Sequence, residues 1–444
     1  MRSALALAVM AALAAEASRA LPAAAEALSL AQAVAAAADG SAAVKLADLR
    51  TREAEGRRAQ SRASFLPGIS GSASTFNRTF SLASLGFSLP RAPGSPPPAD
   101  LVGPFDVVDA RVRATQTLFD VASWVRVRSA GDGVRLSQAE RGLSVEGASQ
   151  SAALAYLRAV RAQAMADARR ADLDLAGQLL TLAEAQRNAG TSPEIDVTRA
   201  RTQVATVRGQ LLVAQNSLER ARVDLARALG LDPGVRFELS DTLSADLGDS
   251  PASRVPGAAV ALALERRPEL AAERLKLARA RADRAAISAE RLPRLEASAD
   301  VGLSGNEWPG STTTRQVGLA LSLPLLDGLR REGRLTEQRA VIGESEVRAH
   351  DLEQQVQAEV AAALLDLASG RDQQNVATER LGLAAEEMAE ARERFSSGVA
   401  SNIEVINAES SLLRARDADI DARFAIASAR VNLAHAAGVC RSVH

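Results

Sequence analysis

The chain has 444 residues but only nine Phe, two Trp and one Tyr, which is few for the core of a compact globular enzyme of this length. Its apolar residues are mostly Ala, Leu and Val, which suit long helices packed closely against one another. The 53 basic and 54 acidic residues leave a formal net charge of −1. No overall charge attracts nucleic acid, and we expect no nucleic-acid partner.

Residues 1–20 are predicted to be a secretory signal peptide. Arg2 precedes an apolar run from Ala4 to Ala15, and Ser18-Arg19-Ala20 puts small residues at positions −3 and −1 of a cleavage site. Beyond this segment no apolar run approaches the roughly 18 residues that a membrane helix needs. The single Cys440 provides neither a disulfide framework nor a thiolate metal cluster.

The rest of the sequence is duplicated. The Gly turn in Arg187–Val197 returns 208 residues later in Phe395–Val405, and each copy lies between two long stretches with helical patterning. We predict a first structural repeat over 21–232, a linker over 233–257 and a second repeat over 258–444. Each repeat is expected to contain a helix, a strand pair and a long helical hairpin.

The first helix of each repeat is predicted over Ala31–Ser64 and Ala258–Glu290, ending at a Leu-Pro pair. After each Leu-Pro the apolar period changes to two, as in Val317, Leu319 and Leu321. The predicted strand pairs are 67–80 with 106–119 and 294–304 with 315–325. Four amphipathic strands of about ten residues are typical of an outer-membrane barrel.

Two turn-rich loops, at 86–104 and 304–314, each connect the two strands of one predicted pair. A single-chain membrane barrel needs about eight strands or more, and an open sheet edge in lipid is costly. Several chains must therefore share one barrel if the strands enter the membrane. A soluble hairpin packed on a core is the alternative interpretation.

The long segments Val121–Arg187 and Gly328–Arg394 contain no Pro. As continuous helices they would extend on the order of 100 Å. Return helices are predicted over Glu194–Leu229 and Asn402–Ala437, with apolar residues at heptad spacing. We therefore predict antiparallel coiled-coil packing, with hairpin tips near residues 190 and 398.

No catalytic motif is found. The three histidines, His350, His435 and His444, are scattered, and the sequence has no His-Glu-x-x-His, Cys-x-x-Cys, phosphate-binding loop or dinucleotide-binding turn. We expect no enzymatic activity, no cofactor and no metal site.

Two acidic residues occupy equivalent places beyond the turns. Asp196 and Glu404 each lie six residues after a turn glycine, Gly190 or Gly398. A symmetric oligomer would bring these carboxylates to one level, where they could line a pore. The alternative is that each acid stabilises the first turn of its helix by facing free amides.

The duplicated Gly turns, the Leu-Pro pairs and the strand-exit motifs together resemble the TolC family of outer-membrane efflux proteins, over nearly all of the mature chain. The two exit motifs are Thr115–Asp120 and Leu323–Gly328. The resemblance implies an α+β membrane protein that forms a homotrimer. Each chain would give four strands to a 12-stranded β-barrel in outer-membrane lipid, continued by a long antiparallel coiled-coil α-helical barrel.

The same resemblance implies a passive duct in the outer membrane of a Gram-negative bacterium, with a large periplasmic part. An inner-membrane pump of the RND, ABC or a similar class would supply the energy through a periplasmic adaptor, in tripartite efflux or type I secretion. A general porin, which predicts short periplasmic turns, and a structural periplasmic coiled coil, which predicts no alternating strands, are the competing interpretations.

The resemblance also implies roles for individual residues. The adaptor-docking tips would be Gly190, Thr191, Gly398 and Val399, and the periplasmic gate would be Asp196, Glu404, Phe395 and Asn407. Asn407 stands where some members have a second acid, and Ala400 where some have a gate-linking Arg. We therefore expect a weaker cation ring and a looser closed state than in those members.

Overall fold

A computed structural model describes residues 27–81, 101–244 and 246–443. The predicted signal peptide and most of the first turn-rich loop lie outside these residues. The chain divides into two units, each containing parts of both repeats. The sheet unit comprises residues 49–138 and 272–350, and the helical unit comprises residues up to 48, 139–271 and 351 onward.

The elements of both units follow one another in a helix-rich α+β order. In sequence they are β1 (Ala27–Leu28), α1 (Leu30–Gly40), α2 (Ala42–Ala63), β2 (Gly68–Ser81), β3 (Leu101–Phe119), α3 (Val121–Asn188), α4 (Glu194–Leu229), β4 (Glu238–Leu239), α5 (Pro251–Arg254), α6 (Ala259–Arg266), α7 (Pro268–Ala289), β5 (Arg294–Gly305), β6 (Thr312–Ser322), α8 (Arg330–Ser396) and α9 (Asn402–Ala436). Short 3₁₀ helices occupy Pro256–Ala258, Trp308–Gly310 and Cys440–Ser442.

The sheet unit contains one four-stranded antiparallel sheet in the order β2-β3-β5-β6. β3 begins at Leu101, five residues before the predicted start, because its first residues pair with the end of β2. β6 ends at Ser322, short of the predicted 325, because Pro324 has no N–H to continue the ladder. The outer edges of β2 and β6 have no strand partner among the described residues.

The two faces of this sheet differ in polarity. The register aligns Ile69, Ala114, Ala299 and Val317 in one row across all four strands, and Val317 is 83% exposed. On the other face the guanidinium of Arg111 bonds Asp300 across the strands at 3.2 Å. The sheet therefore presents an exposed apolar surface on one side and paired charges on the other.

The first helix predicted in each repeat is in fact two helices. α1 ends at Gly40 and α2 starts at Ala42, because Ser41 takes an extended conformation and its hydroxyl accepts a bond from the amide of Val44. In the second repeat Arg267 is extended before Pro268, as the proline ring disfavours a helical residue in front of it. Pro268 was the signal for the second break, and the prediction of one helix over Ala258–Glu290 overlooked it.

The long helices α3 and α8 have 68 and 67 residues, and their return helices α4 and α9 have 36 and 35. Small and aliphatic side chains of all four pack in the core of the helical unit. The buried hydroxyl of Tyr156 shares its one hydrogen between the carbonyl of Leu28 at 2.7 Å and Asp241 Oδ2 at 2.9 Å. This bond stabilises the parallel pairing of β1 with β4, which joins the linker to the N-terminal segment.

No helix in the described part of the chain is both long enough and apolar enough to cross a membrane.

Candidate functional site at the hairpin tips

Both hairpin turns have the same backbone geometry. Gly190 and Gly398 each have φ of +74°, in the left-handed region that favours glycine. The amide of Thr191 donates to the carbonyl of Gln186 at 2.9 Å, and the amide of Val399 donates to the carbonyl of Arg394 at 2.9 Å. Each of these bonds spans five residues and closes the end of a long helix. The four residues predicted at the tips therefore lie at the two turns.

Behind the turns lies a small apolar cluster, here called the tip core. It includes Phe395, which is 3% exposed and was predicted as a gate residue. The buried members come from all four long helices and are Leu179, Ala183, Val197, Ala200, Ala384, Met388, Ala391, Phe395, Val405, Ala408, Leu412 and Ala415. Phe395 thus packs inside its own chain and supports both hairpins.

Two hydrogen bonds join one tip to the other. Gln186 Nε2 donates to the backbone carbonyl of Phe395 at 2.7 Å. Asn402 Nδ2 donates to the backbone carbonyl of Asp196 at 2.8 Å, and Asn402 is 2% exposed. Sequence reasoning missed both donors. They stand at positions where the two repeats differ, Gln186 opposite Arg394 and Asn402 opposite Glu194, and this difference was the available signal.

Asp196 lies in the first turn of α4 and is 7% exposed. Ser192 Oγ donates to its carboxylate at 2.8 Å, and Arg199 Nη1 lies 3.4 Å from the other carboxylate oxygen. The Asp196 carboxylate is therefore paired within its own hairpin.

Glu404, the equivalent residue of α9, has a different environment. Its carboxylate lies 3.0 Å from Arg394 Nε, and its side chain is 42% exposed. Asn407, one turn further, is exposed. Positions that are equivalent in the sequence thus differ in the structure: one acid is buried beside a serine, and the other forms an accessible ion pair.

The helical unit completely buries two acids further from the tips, Asp172 of α3 and Glu409 of α9. Asp172 is 0% exposed and accepts bonds from Arg169, at 2.8 Å, and from Arg416. Glu409 is also 0% exposed, and neither of its carboxylate oxygens has a hydrogen-bond partner among the described residues. Burial raises the pKa of Glu409; the nearby Gln203 amide opposes this shift, and the charge of Asp172 adds to it.

This arrangement can hold two helical hairpins closed by a few polar bonds. Among the described residues the tip core has one aromatic side chain, Phe395, and the polar contacts between the two turns include the hydrogen bonds of Gln186 and Asn402 to backbone carbonyls. The Arg394–Glu404 ion pair is partly solvated, so its contribution to stability is small. Modest changes in polar contacts could therefore shift one hairpin against the other.

Comparison with known proteins gives one family. The family model described as outer membrane efflux protein matches residues 33–231 and 259–439, which is most of both repeats.

Relatives and solved structures agree with this match. The chain is 24% identical over 347 residues to the pyoverdine export outer membrane protein OpmQ of Pseudomonas aeruginosa, covering 75% of this chain and 71% of OpmQ. Its fold is similar to that of the outer membrane protein VceC of Vibrio cholerae, with a TM-score of 0.71 and 22% identity over 92% of this chain and 96% of VceC. The open-state MtrE channel of Neisseria gonorrhoeae gives a TM-score of 0.72 and 18% identity over 92% and 88%.

Proposed function

This chain belongs to the outer membrane efflux protein family of Gram-negative outer-membrane channels, and we propose that it is the passive exit duct of a tripartite efflux or type I secretion system. The observation that carries the proposal is the four-stranded sheet with one exposed apolar face and two open edges. The relative OpmQ is a pyoverdine export protein. The proposal gives this chain the same exit role, and it does not include pyoverdine as the cargo.

Three copies would share one barrel. In lipid the outer edges of β2 and β6 would leave backbone amides and carbonyls without partners, at several kcal/mol for each group. Pairing β6 of one copy with β2 of the next removes every edge, and three copies give 12 strands. The row of apolar residues ending at Val317 would face outer-membrane lipid, and Arg111 with Asp300 would face the lumen.

The long helices would form the periplasmic tunnel. We assign the repeats to 21–232 and 258–444, joined by 233–257, so that each copy contributes two helical hairpins. Gly190, Thr191, Gly398 and Val399 would meet the periplasmic adaptor, which couples the duct to an inner-membrane pump. Val399 is 74% exposed, which favours a role in contact with a partner.

The gate would lie just behind these tips. Glu404, being partly exposed, would supply a ring of three carboxylates in the trimer, and Asp196 would join it when its side chain turns away from Ser192. A ring of acids in a narrow pore concentrates cations. Phe395 would hold the closed packing, and Asn407 would add a polar ring one turn on.

The test is planar-bilayer conductance of the purified chain, with its oligomeric state measured by native mass spectrometry. We expect a trimer with a small, cation-preferring conductance, and loss of that preference in the variant D196A/E404A. A trimer that conducts with unchanged selectivity in the variant would contradict the gate assignment. A monomer, or a trimer without conductance, would contradict the duct.

A further inference from the structure

Three side chains with metal-ligating atoms converge in the helical unit, at a place that the proposed channel function does not use. They are Glu146 of α3, His435 in the last turn of α9, and Cys440, the first residue of the final 3₁₀ helix. One carboxylate oxygen, one imidazole nitrogen and the thiol sulfur all lie within 4.8 Å of one another.

Two of these groups are weakly satisfied in comparison with most buried polar groups. Cys440 is 0% exposed, and its thiol makes only a weak 3.8 Å contact with the carbonyl of Val431. His435 Nδ1 is buried and has no hydrogen-bond partner among the described residues. An imidazole with an unpartnered nitrogen and a buried thiol supply the donor types that a soft or borderline metal ion prefers.

Glu146 already has one structural role. Its Oε2 accepts a 2.9 Å hydrogen bond from the amide of Cys440, which fixes the carboxylate beside the thiol. A carboxylate has two oxygens and about four acceptor sites, so this bond leaves capacity for a metal. Glu146 and His435 are partly exposed, which gives an ion a path to the buried sulfur.

The charges around the three groups are mixed, with Glu269 and Glu359 on one side of the balance and Arg267 and Arg441 on the other. Glu269 faces Glu146 and raises the pKa of that carboxyl, after burial, which is the larger cause. Arg267 is ion-paired with Glu359 at 2.5 Å, so its positive charge is largely balanced. Burial, followed by the charge of Arg267, lowers the pKa of His435, which keeps the imidazole in its neutral, ligating form.

We propose that Glu146, His435 and Cys440 bind one Zn²⁺ ion, which fastens the C-terminal segment to α3. Zinc takes sulfur at about 2.3 Å and nitrogen or oxygen at about 2.0–2.2 Å in a tetrahedron. The ligand atoms must then approach to about 3.5 Å from one another, a side-chain movement of about 1 Å. The thiol loses its proton to solvent as the Zn–S bond forms, and water takes the fourth position.

A purely structural explanation also exists, in which Cys440 is a small buried apolar residue and Glu146 only holds the backbone amide. It predicts no metal affinity above background. It also predicts that Cys440→Ser and the wild type bind the same amount of added Zn²⁺ and give the same spectrum with Co²⁺.

The test uses the full-length, untagged trimer in detergent, stripped with chelator and dialysed against Zn²⁺. Metal content is measured by inductively coupled plasma mass spectrometry, and Co²⁺ is used as a spectroscopic probe. We expect one Zn²⁺ per chain, and with Co²⁺ a sulfur-to-metal charge-transfer band together with intense tetrahedral d–d bands. Cys440→Ser should abolish the charge-transfer band, and His435→Gln and Glu146→Gln should each weaken zinc binding at least tenfold.

His350→Gln is the matched control, because it removes a histidine of the sheet unit, and it should leave stoichiometry and spectrum unchanged. Circular dichroism checks that each variant keeps its helix content. Zinc at no more than background in the wild-type trimer would overturn the proposal. Zinc binding that stays at one ion per chain in a folded Cys440→Ser variant would also overturn it.

Discussion

The side-chain amide of Asn402 donates a 2.8 Å hydrogen bond to the backbone carbonyl of Asp196, so the first turn of α9 is fastened to the first turn of α4. This bond is buried and joins the two tips of one chain. Asp196 is in the first turn of α4, where its carbonyl also takes part in helical hydrogen bonding, so the Asn402 amide uses the second lone pair of that oxygen.

Replacement of Asn402 by Ala should loosen the tips. We expect the free energy that separates the closed tips from a locally open state to fall by about 0.5–1.5 kcal/mol, because one buried hydrogen bond between the tips is lost. Hydrogen–deuterium exchange of peptides covering 190–200 and 398–408 should speed up. Asn216→Ala, an exposed asparagine of α4, is the control. Equal exchange in N402A and N216A would show that the bond does not hold the tips.

The Arg394–Glu404 ion pair should contribute little to the free energy of unfolding of the protein. It should contribute more to the free energy difference between the closed and open tips. Because both side chains are well exposed, a double-mutant cycle of R394A and E404A should give a coupling energy of about 0.2–1 kcal/mol. R394A should raise open-channel probability in planar bilayers by a factor of up to about five. A cycle on the exposed Glu53–Arg57 pair of α2 provides the reference, without an effect on conductance. A coupling energy near zero for Arg394 and Glu404 would contradict the prediction.

Glu409→Gln should stabilise the protein at neutral pH. The pKa of Glu409 is raised in the folded state, so the folded chain keeps this proton at pH values where the unfolded chain has lost it. The free energy of unfolding therefore falls as pH rises from near 4.5 through the folded pKa of Glu409, and it stays at the lower value above that pKa. Gln removes this dependence.

We expect E409Q and wild type to unfold at similar denaturant concentrations at pH 4, and the variant to need more denaturant at pH 8. Glu219→Gln, which changes an exposed glutamate of α4, serves as the control. It should change the denaturant concentration of unfolding by the same amount at pH 4 and at pH 8. Asp172, whose charge also raises the pKa of Glu409, and its partners Arg169 and Arg416 are the same in all the variants. An E409Q variant that is less stable at pH 8 would refute the assignment.

Alanine at the turn glycines should act in the opposite sense to alanine at helical glycines. Gly190→Ala and Gly398→Ala should each destabilise the closed tips by about 1–2 kcal/mol, because φ is +74° at both. The space around both positions is open, so the cost is purely conformational. Gly177→Ala and Gly382→Ala, in α3 and α8 with equally open space, should stabilise by about 0.5–1 kcal/mol. The measurement is thermal denaturation of the four variants. A change in melting temperature of the same sign in both pairs would contradict this reasoning.

The sequence by itself determined the features that depend on local periodicity. Apolar alternation located the strands, absence of Pro located the two long helices, and the repeated Gly located the two hairpin turns. The resemblance to the TolC family, carried by these same motifs, is confirmed by the family match. Local patterns suffice here because strand faces and helix lengths follow from the period of neighbouring residues.

The tertiary structure alone decided which distant residues meet. Asp196 and Glu404 have equivalent places in the sequence, yet one bonds Ser192 and the other Arg394, because the flanking residues of the two repeats differ. Glu146 lies far from His435 and Cys440 in the chain, and only the packing of α3 against the C-terminal segment brings their ligating atoms within 4.8 Å. Contacts of this kind depend on the register between packed helices, which the period of either helix leaves open.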